Sequence, residues 1–371
     1  MKIGFDAKRF FFNSSGLGNY SRNIVKALSI YEPENDYYLY SPSVNTKYEK
    51  AVGENNTIVT PNRLVDKLFK SYWRSFSIVN QLKNDNLNLY HGLSHELPYG
   101  IENSNIKSLV TIHDLIFLRH PELFSWVNRK IYLQKVTHSC SVADRIISIS
   151  EQTTDDIKEL LKIDEKKIET VYQGCDTRFY TLISDLDRQA IQQKYNLPSE
   201  FLLTVGTIEK RKNALQTLQA MHLGKIDVPF YIIGRKTSYV EVLQKFVSDH
   251  QMQKQVVFLH NVPTEDLPAL YQLAKAFIYP SIYEGFGIPI LEALNSKTPV
   301  ITGSSKCLSE VGGKDTIYVN TQSVDEMIEA IHVVLSDSEK RSKMINSGLL
   351  HAEKFKEKSV ANQLMGIYNS L

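Results

Sequence analysis

No stretch of the chain stays apolar for the length of a membrane span, so any membrane contact is expected to be peripheral. The opening Met1-Lys-Ile-Gly-Phe-Asp6 lacks an apolar signal-peptide core and reads as a short strand. Cysteine is scarce. Cys140, Cys175 and Cys307 are scattered, odd in number and without metal-ligand spacing, which argues against a disulfide framework and fits a reducing, cytoplasmic compartment. An excess of charge of one sign is missing too: 43 Lys and Arg against 41 Asp and Glu leave +2, too little for nucleic acid as the main partner. There is no repeat of short period and no low-complexity tract, and 371 residues suffice for two domains with a core each.

What the chain does have is a regular alternation of short β-branched or aromatic runs with longer helical patterns, the mark of parallel sheets covered by helices on both faces. Strands are expected at 2–6, 37–40, 57–60, 88–91, 108–112, 145–149 and 168–171, then in a second series at 201–205, 229–233, 255–259, 276–279, 298–301 and 316–319. Between the series, residues 174–200 hold Gly174, an acidic polar stretch and Asn196-Leu197-Pro198, and the hinge is expected there. The reading is α/β, with two Rossmann-like doubly wound domains, 1–180 and 181–356, facing across a cleft at the carboxyl ends of their sheets.

The densest motif is Glu284-Gly-Phe-Gly-Ile-Pro-Ile-Leu-Glu292. Pro289 suits a first helical turn, and Gly285 and Gly287 let bare backbone approach a ligand, where free N–H groups favour an anion. If helical geometry held throughout, eight steps would separate the carboxyl-bearing residues by roughly 12 Å. A glycosidase acid/base pair needs carboxyls closer than about 9.5 Å. The spacing instead fits two ends of one elongated ligand, a ribose at Glu292 and a hexose at Glu284. Capping of the helix start by Glu284, with Glu292 simply solvated, is the bland alternative. Against it, the motif sits between two expected strands, at a strand-to-helix turn where open α/β sheets bind ligands.

Other constellations fall at similar places. Thr204-Val-Gly206-Thr-Ile-Glu-Lys-Arg211-Lys212-Asn213 ends the first strand of the second series, and its cations suit a diphosphate better than a merely solvated basic loop. Ser14-Ser-Gly16-Leu-Gly-Asn-Tyr20 follows the first strand and can cradle phosphate or form a plain turn, although it lacks the third glycine of the dinucleotide fingerprint. His113-Asp114 ends a strand of the first series, where an imidazole can bind a sugar hydroxyl or pack as an ordinary residue; His91 has a similar place with less support. Backbone near Gly234 and the His260-Asn261-Val262 loop is expected to recognise a base. Asp185-Leu-Asp187 reads as helix-start chemistry, and no metal is expected. Residues 63–83 show helical apolar spacing with five cations, Arg63, Lys67, Lys70, Arg74 and Lys83, against Asp66 alone. Such a basic amphipathic helix can lie on an anionic membrane, giving a possible peripheral contact there, but a helix packed on the sheet with its charges in water is the favoured reading.

Taken together these residues resemble the retaining glycosyltransferases of family 4, which have the GT-B fold. The resemblance runs nearly end to end; its most specific marks are the Glu-x7-Glu element of Glu284 and Glu292 and the Gly206 to Asn213 segment. It implies that Glu292 holds the donor ribose, that Glu284 with Gly285, Phe286 and Gly287 holds the donor hexose, and that Arg211 and Lys212 bind the diphosphate. It also implies that the Gly16 loop closes on the diphosphate and that His113 lies beside the transferred sugar. Thr207 stands where some members carry a further arginine, which leaves neutralisation to Arg211 and Lys212. A final helix, 357–371, is implied to cross back to the first, acceptor-side domain.

By the same resemblance the enzyme is a metal-independent hexosyltransferase with no cofactor, of the mannosyltransferase kind that serves bacterial surface polysaccharide. It would take GDP-mannose, or second a UDP-hexose, and a saccharide or lipid-linked acceptor, in the cytoplasm or at the inner face of the membrane. The alternatives are a nucleotide-sugar epimerase of the same architecture, a phosphorylase carrying lysine-bound pyridoxal phosphate, and a non-catalytic sugar-nucleotide binder.

Overall fold

A computed structural model describes residues 1–371, which form two compact units, Met1–Gly174 with Phe355–Leu371, and Cys175–Lys354. The first is built on a seven-stranded sheet: β1 (Lys2–Asp6), β2 (Asp36–Tyr40), β3 (Asn56–Val59), β4 (Leu89–Gly92), β5 (Lys107–Ile112), β6 (Arg145–Ser148) and β7 (Ile168–Thr170). The second has six strands: β8 (Leu202–Val205), β9 (Phe230–Ile233), β10 (Val256–Leu259), β11 (Ala276–Tyr279), β12 (Val300–Gly303) and β13 (Ile317–Val319). Every pairing is parallel, in the orders β3-β2-β1-β4-β5-β6-β7 and β10-β9-β8-β11-β12-β13.

All thirteen expected strands are present. Parallel strands buried on both faces need apolar side chains at every position, and such runs are visible in sequence; β9 and β11 are buried throughout. The largest shift is at β12, which starts at Val300 because Pro299 has no N–H for a ladder, although its carbonyl accepts from the Phe277 N–H at 2.8 Å.

In both orders the chain reverses direction beside the first strand of the unit, between β1 and β4 and between β8 and β11. Loops leaving the carboxyl ends of these strand pairs diverge and leave a crevice at the switch. Residues 206–213 follow β8 and residues 280–287 follow β11, so the two densest sequence motifs flank one switch point.

The helix Glu357–Asn369 packs on the helix Gly16–Tyr31 and buries Val360, Leu364, Met365 and Tyr368 in the first unit. Lys26 pairs with Glu357 at 3.5 Å along this contact. Asp185 and Asp187 occupy the first turn of the helix Asp185–Lys194, where the Ser184 hydroxyl accepts from the Asp187 N–H at 3.1 Å; they are helix-start residues, as read.

Residues 63–83 depart from expectation. Instead of one amphipathic helix packed on the sheet, they form short helical pieces, Leu64–Leu68 and Lys70–Tyr72, then a π-helical turn Trp73–Ser77 and a helix Ile78–Asn84. Leu64, Val65, Leu68, Phe69, Tyr72 and Phe76 are exposed, whereas Arg74 is buried. Its guanidinium donates to both carboxylate oxygens of Asp6 and, at 2.5 Å, to Glu96. Arg74 therefore belongs to no solvated or membrane-facing stripe: the π turn carries it inward to two carboxylates distant in sequence. Replacing it with Met leaves those carboxylates buried without their cation, and Arg74→Met is expected to destabilise the first unit by about 3–5 kcal/mol in urea unfolding.

Candidate functional site

In the second unit the site begins with two glycines. Gly206 and Gly234, which follow β8 and β9, have φ of +147° and +158°. A Cβ on Gly234 would lie 1.7 Å from the Gly206 carbonyl oxygen, so the two backbones touch and only glycine fits. His260 donates from Nδ1 to the Gly234 carbonyl at 2.8 Å, and Asn261 turns the chain with φ of +58°, leaving Val262 half-buried beyond it.

Lys210–Lys212 form a single 3₁₀ turn that ends at Asn213, itself left-handed at φ +54°. From this turn Arg211 and Lys212 reach Glu284 on the loop after β11. Arg211 Nη1 lies 2.7 Å from Glu284 Oε2, and Lys212 Nζ 2.5 Å from Oε1. Tyr279 and Ser281 hydroxyls donate to the same Oε1 at 2.9 and 2.6 Å. Arg211 also donates to the Tyr283 carbonyl and pairs with Glu209 at 2.6 Å, while Lys212 donates to the Tyr279 hydroxyl and sits 4.7 Å from that ring's centre. Backbone bonds hold the loops together: Ile282 N–H donates to the Arg211 carbonyl at 2.9 Å.

Burial alone would raise the pKa of Glu284, but Lys212, Arg211 and the Ser281 hydroxyl prevail and hold it at about 2. For Lys212 burial is the larger influence and lowers its pKa, Glu284 opposing. Glu284 is thus a carboxylate at any physiological pH, and it fixes two cations at the carboxyl ends of β8 and β11.

Gly285, Phe286 and Gly287 are buried, and Gly287, at φ +116°, precedes the helix Ile288–Asn295 with Pro289 in its first turn. Helical geometry therefore starts after Glu284, and the spacing of the two glutamates is that of a turn followed by a helix. Glu292 stands apart from the ion cluster. Its carboxylate accepts from the Tyr271 hydroxyl at 2.9 Å, and burial pushes it up to about 7; Tyr271 and Arg178 work against the rise and Asp176 adds to it.

Gly16 and His113 belong to the first unit. Gly16 opens its helix, and a side chain there would meet no atom of the chain; the glycine the fold requires is Gly18, whose Cβ would lie 1.8 Å from the Asn13 carbonyl oxygen. His113, just past β5, is buried and donates from Nε2 to the Leu93 carbonyl at 2.8 Å. Burial and then neighbouring His95 push its pKa down to about 3, so the ring is neutral and Nδ1 is its acceptor nitrogen. The Tyr20 ring meets it edge-on at 4.6 Å. A buried chain runs on from there: Tyr20 hydroxyl to Thr111 at 3.1 Å, Thr111 to His91 at 2.8 Å, and His91 to Tyr368 at 2.7 Å.

Several participants went unread in sequence. Tyr279, Ser281 and Glu209 complete the ion cluster, and Tyr271 holds Glu292. The one available signal was that Tyr279 and Ser281 flank Pro280 at the end of an expected strand. In the first unit, Ser94 Oγ and His95 Nδ1, in the loop after β4, are buried without a hydrogen-bond partner, and His95 holds φ of +63°. Strained and unsatisfied polar groups of this kind gather at ligand sites.

Known proteins bear directly on this arrangement. Residues 14–179 match the family model for Glycosyltransferase Family 4, and residues 187–350 the one for glycosyl transferases group 1. The chain belongs to this glycosyltransferase family. It is 28% identical to O-antigen chain mannosyltransferase B of Escherichia coli over the full length of both. It is 29% identical to O-antigen chain mannosyltransferase RfbU of Salmonella typhimurium, over 67% of this chain and 65% of that one. Among solved structures, HepE of Anabaena, in complex with UDP and glucose, superposes with a TM-score of 0.78 at 16% identity, covering all of both chains. WaaG, a glycosyltransferase of lipopolysaccharide biosynthesis, gives 0.73 at 13%, covering 99% of each. The protein is a GT-B glycosyltransferase.

The pKa of Glu292 has a measurable consequence for this glycosyltransferase. The folded carboxyl titrates near 7 and the unfolded one near its ordinary 4.5, so between these values the folded state binds more protons. Its contribution to stability is present below about pH 4.5 and lost as pH rises to 7. In urea unfolding, Glu292→Gln should remove that component, at most about 3 kcal/mol, from the pH dependence across this window.

Proposed function

We propose that the protein moves a hexosyl group, with retention and without a metal, from a nucleoside-diphosphate sugar to a saccharide or lipid-linked saccharide in surface polysaccharide assembly. GDP-mannose is the first choice of donor, supported by the names of the full-length and partial relatives, both O-antigen chain mannosyltransferases. A UDP-hexose is the second, supported by the nucleotide bound in HepE. The observation that carries the reading is the ion cluster of Arg211, Lys212 and Glu284 at the switch between β8 and β11.

Departure of a nucleoside diphosphate leaves negative charge on its β-phosphate. Cations already fixed in place stabilise that charge without reorganising, and Glu284 does the fixing here. The N-terminal end of the helix Ile288–Asn295, with the Gly285 to Gly287 backbone before it, adds donors of the kind that favour phosphate. Glu292 takes the ribose hydroxyls, Gly206, Gly234, Asn261 and Val262 line the nucleotide, and Gly16 closes on the diphosphate. Glu284 keeps a second role in holding the hexose, beside its tie to the cations. Acceptor oxygen attacks on the face the phosphate leaves, and the phosphate helps take its proton, so no protein nucleophile is assigned. His113, neutral, with Nδ1 as acceptor, serves beside the transferred sugar. Ser94 and His95 serve the acceptor.

Arg211→Ala and Lys212→Ala should each lower kcat by on the order of 100-fold, the loss seen when one oxyanion donor is removed; turnover at the wild-type rate in both variants refutes the assignment. A thermal-shift series with GDP and UDP identifies the base, since a ligand at 100 times its Kd adds about 2.7 kcal/mol. His95→Asn keeps a residue at home in the left-handed region, and is expected to raise the acceptor KM by about tenfold with the donor KM unchanged.

A further inference from the structure

The buried polar chain of the first unit, from Tyr368 to Tyr20, holds one hydrogen more than its bonds can use. Tyr368 meets Nδ1 of His91, Nε2 of His91 meets the Thr111 hydroxyl, and Thr111 meets the Tyr20 hydroxyl, which makes three bonds. His91 is neutral, its pKa pushed down to about 3 by burial and then by His113, so its ring carries a single N–H. With three hydroxyls added, four hydrogens share those three bonds. None of the four side chains has a further hydrogen-bond partner, and all four are buried.

A buried hydrogen without an acceptor is costly, so where the spare one lies matters. At the Tyr368 end nothing can reach it. That hydroxyl belongs to the face of the helix Glu357–Asn369 that buries Val360, Leu364 and Met365, and an unbonded hydrogen there would stay unbonded. Thr111 lies within β5, fully buried, and offers no better place. The Tyr20 end is different. Its ring meets His113 edge-on, and the His113 ring lies 5.3 Å from that of His95. His95 is tied to the same strand residue, its N–H donating to the Thr111 carbonyl at 2.9 Å, and its Nδ1 and the neighbouring Ser94 hydroxyl are the unsatisfied groups of the loop after β4. Donation therefore runs from Tyr368 to Nδ1 of His91, from the Nε2–H to Thr111, and from Thr111 to Tyr20. The spare hydrogen is the one on Tyr20, at the place where other polar groups also wait for partners.

We infer that Tyr20 keeps its hydroxyl hydrogen for a sugar oxygen beside His113, and that Tyr368, on the last helix of the chain, is the positioning residue that keeps it free. Tyr368 acts only through His91 and Thr111. By donating to Nδ1 it holds the His91 proton on Nε2, which turns the Thr111 hydroxyl toward Tyr20 as a donor. The sugar as the partner of Tyr20 rests on the transfer reading, whereas the direction of donation does not.

Two measurements on the full chain test this. Long-range proton–nitrogen NMR of the histidine rings, ten in the chain, shows which nitrogen of each carries hydrogen. His91 is the ring whose Nδ1 signal moves in Tyr368→Phe; it should be protonated on Nε2 in the wild type and should mix both tautomers in the variant. Hydrolysis of GDP-mannose and of UDP-glucose, followed without acceptor, gives the second readout. Tyr20→Phe should lower kcat/KM by about fivefold, the worth of one neutral hydrogen bond, and Tyr368→Phe by less. The double variant should be no slower than Tyr20→Phe alone, because both changes act on one hydrogen. The inference is overturned if His91 carries its hydrogen on Nδ1 in the wild type, if Tyr368→Phe leaves every ring signal in place, if Tyr20→Phe hydrolyses at the wild-type rate, or if the two losses multiply. A wild-type chain that hydrolyses neither donor strikes the transfer reading and with it the sugar as the partner of Tyr20, while the tautomer of His91 still decides the direction of donation.

Discussion

The ionised carboxylate of Glu284 is the constraint on which the second unit's site depends. A buried carboxylate is costly unless its lone pairs are met, and here two cations and two hydroxyls meet them. The dependence is mutual. Arg211 and Lys212 sit on a short 3₁₀ turn after β8, and without Glu284 only Glu209, paired with Arg211, would be left to balance these two half-buried cations. Charge, more than apolar packing, therefore joins the β8 loop to the β11 loop, while the parallel pairing of β8 with β11 brings the two loops within reach.

The first unit solves a related problem with a different composition. Arg74 ties β1 and the β4 loop through Asp6 and Glu96, and the C-terminal helix inserts Tyr368 beside His91. From Tyr368 the bonded chain reaches Thr111 and Tyr20, whose ring rests on His113. The last residues of the chain thus help to orient an imidazole more than two hundred and fifty positions earlier. They do so through neutral groups: burial keeps both His91 and His113 well below the usual imidazole range, so neither ring adds a charge to an apolar interior.

Much of this was legible in sequence because parallel strands advertise themselves. Phe201-Leu-Leu-Thr-Val205 or Ala276-Phe-Ile-Tyr279 can hardly be other than doubly buried strands, and a charged or glycine-rich run just after such a strand marks the carboxyl end of a sheet. Arg211, Lys212 and Glu284 were found that way. Residues whose role depends on partners far along the chain were not. Arg74 looked like one cation among five until the π turn carried it to Asp6 and Glu96, 68 and 22 positions away. The helical spacing of residues 63–83 was genuine, but spacing does not say which part of an apolar stripe is covered: Trp73, Val79 and Leu82 are buried, while Leu64, Leu68, Phe69 and Tyr72 are exposed. Gly16 and Gly18 were indistinguishable as letters; only the approach of the Asn13 carbonyl shows which of them the fold requires.

The two glutamates of the central motif show how far environment separates identical groups. Glu284 is buried and Glu292 half-buried, and both are met by a tyrosine hydroxyl. Yet one titrates near 2 and the other near 7, because cations adjoin the first, while the second has chiefly Tyr271 to offset its burial. A carboxylate already committed to two cations is a fixed element of scaffold whose charge no ligand needs to restore. One poised near neutrality responds to whatever approaches it: a pair of hydroxyls that donate to it favours the ionised form, and an anion nearby favours the protonated one. Within one motif, therefore, the first glutamate organises positive charge and the second is the titratable end, and the glycine turn between them keeps those two electrostatic environments apart.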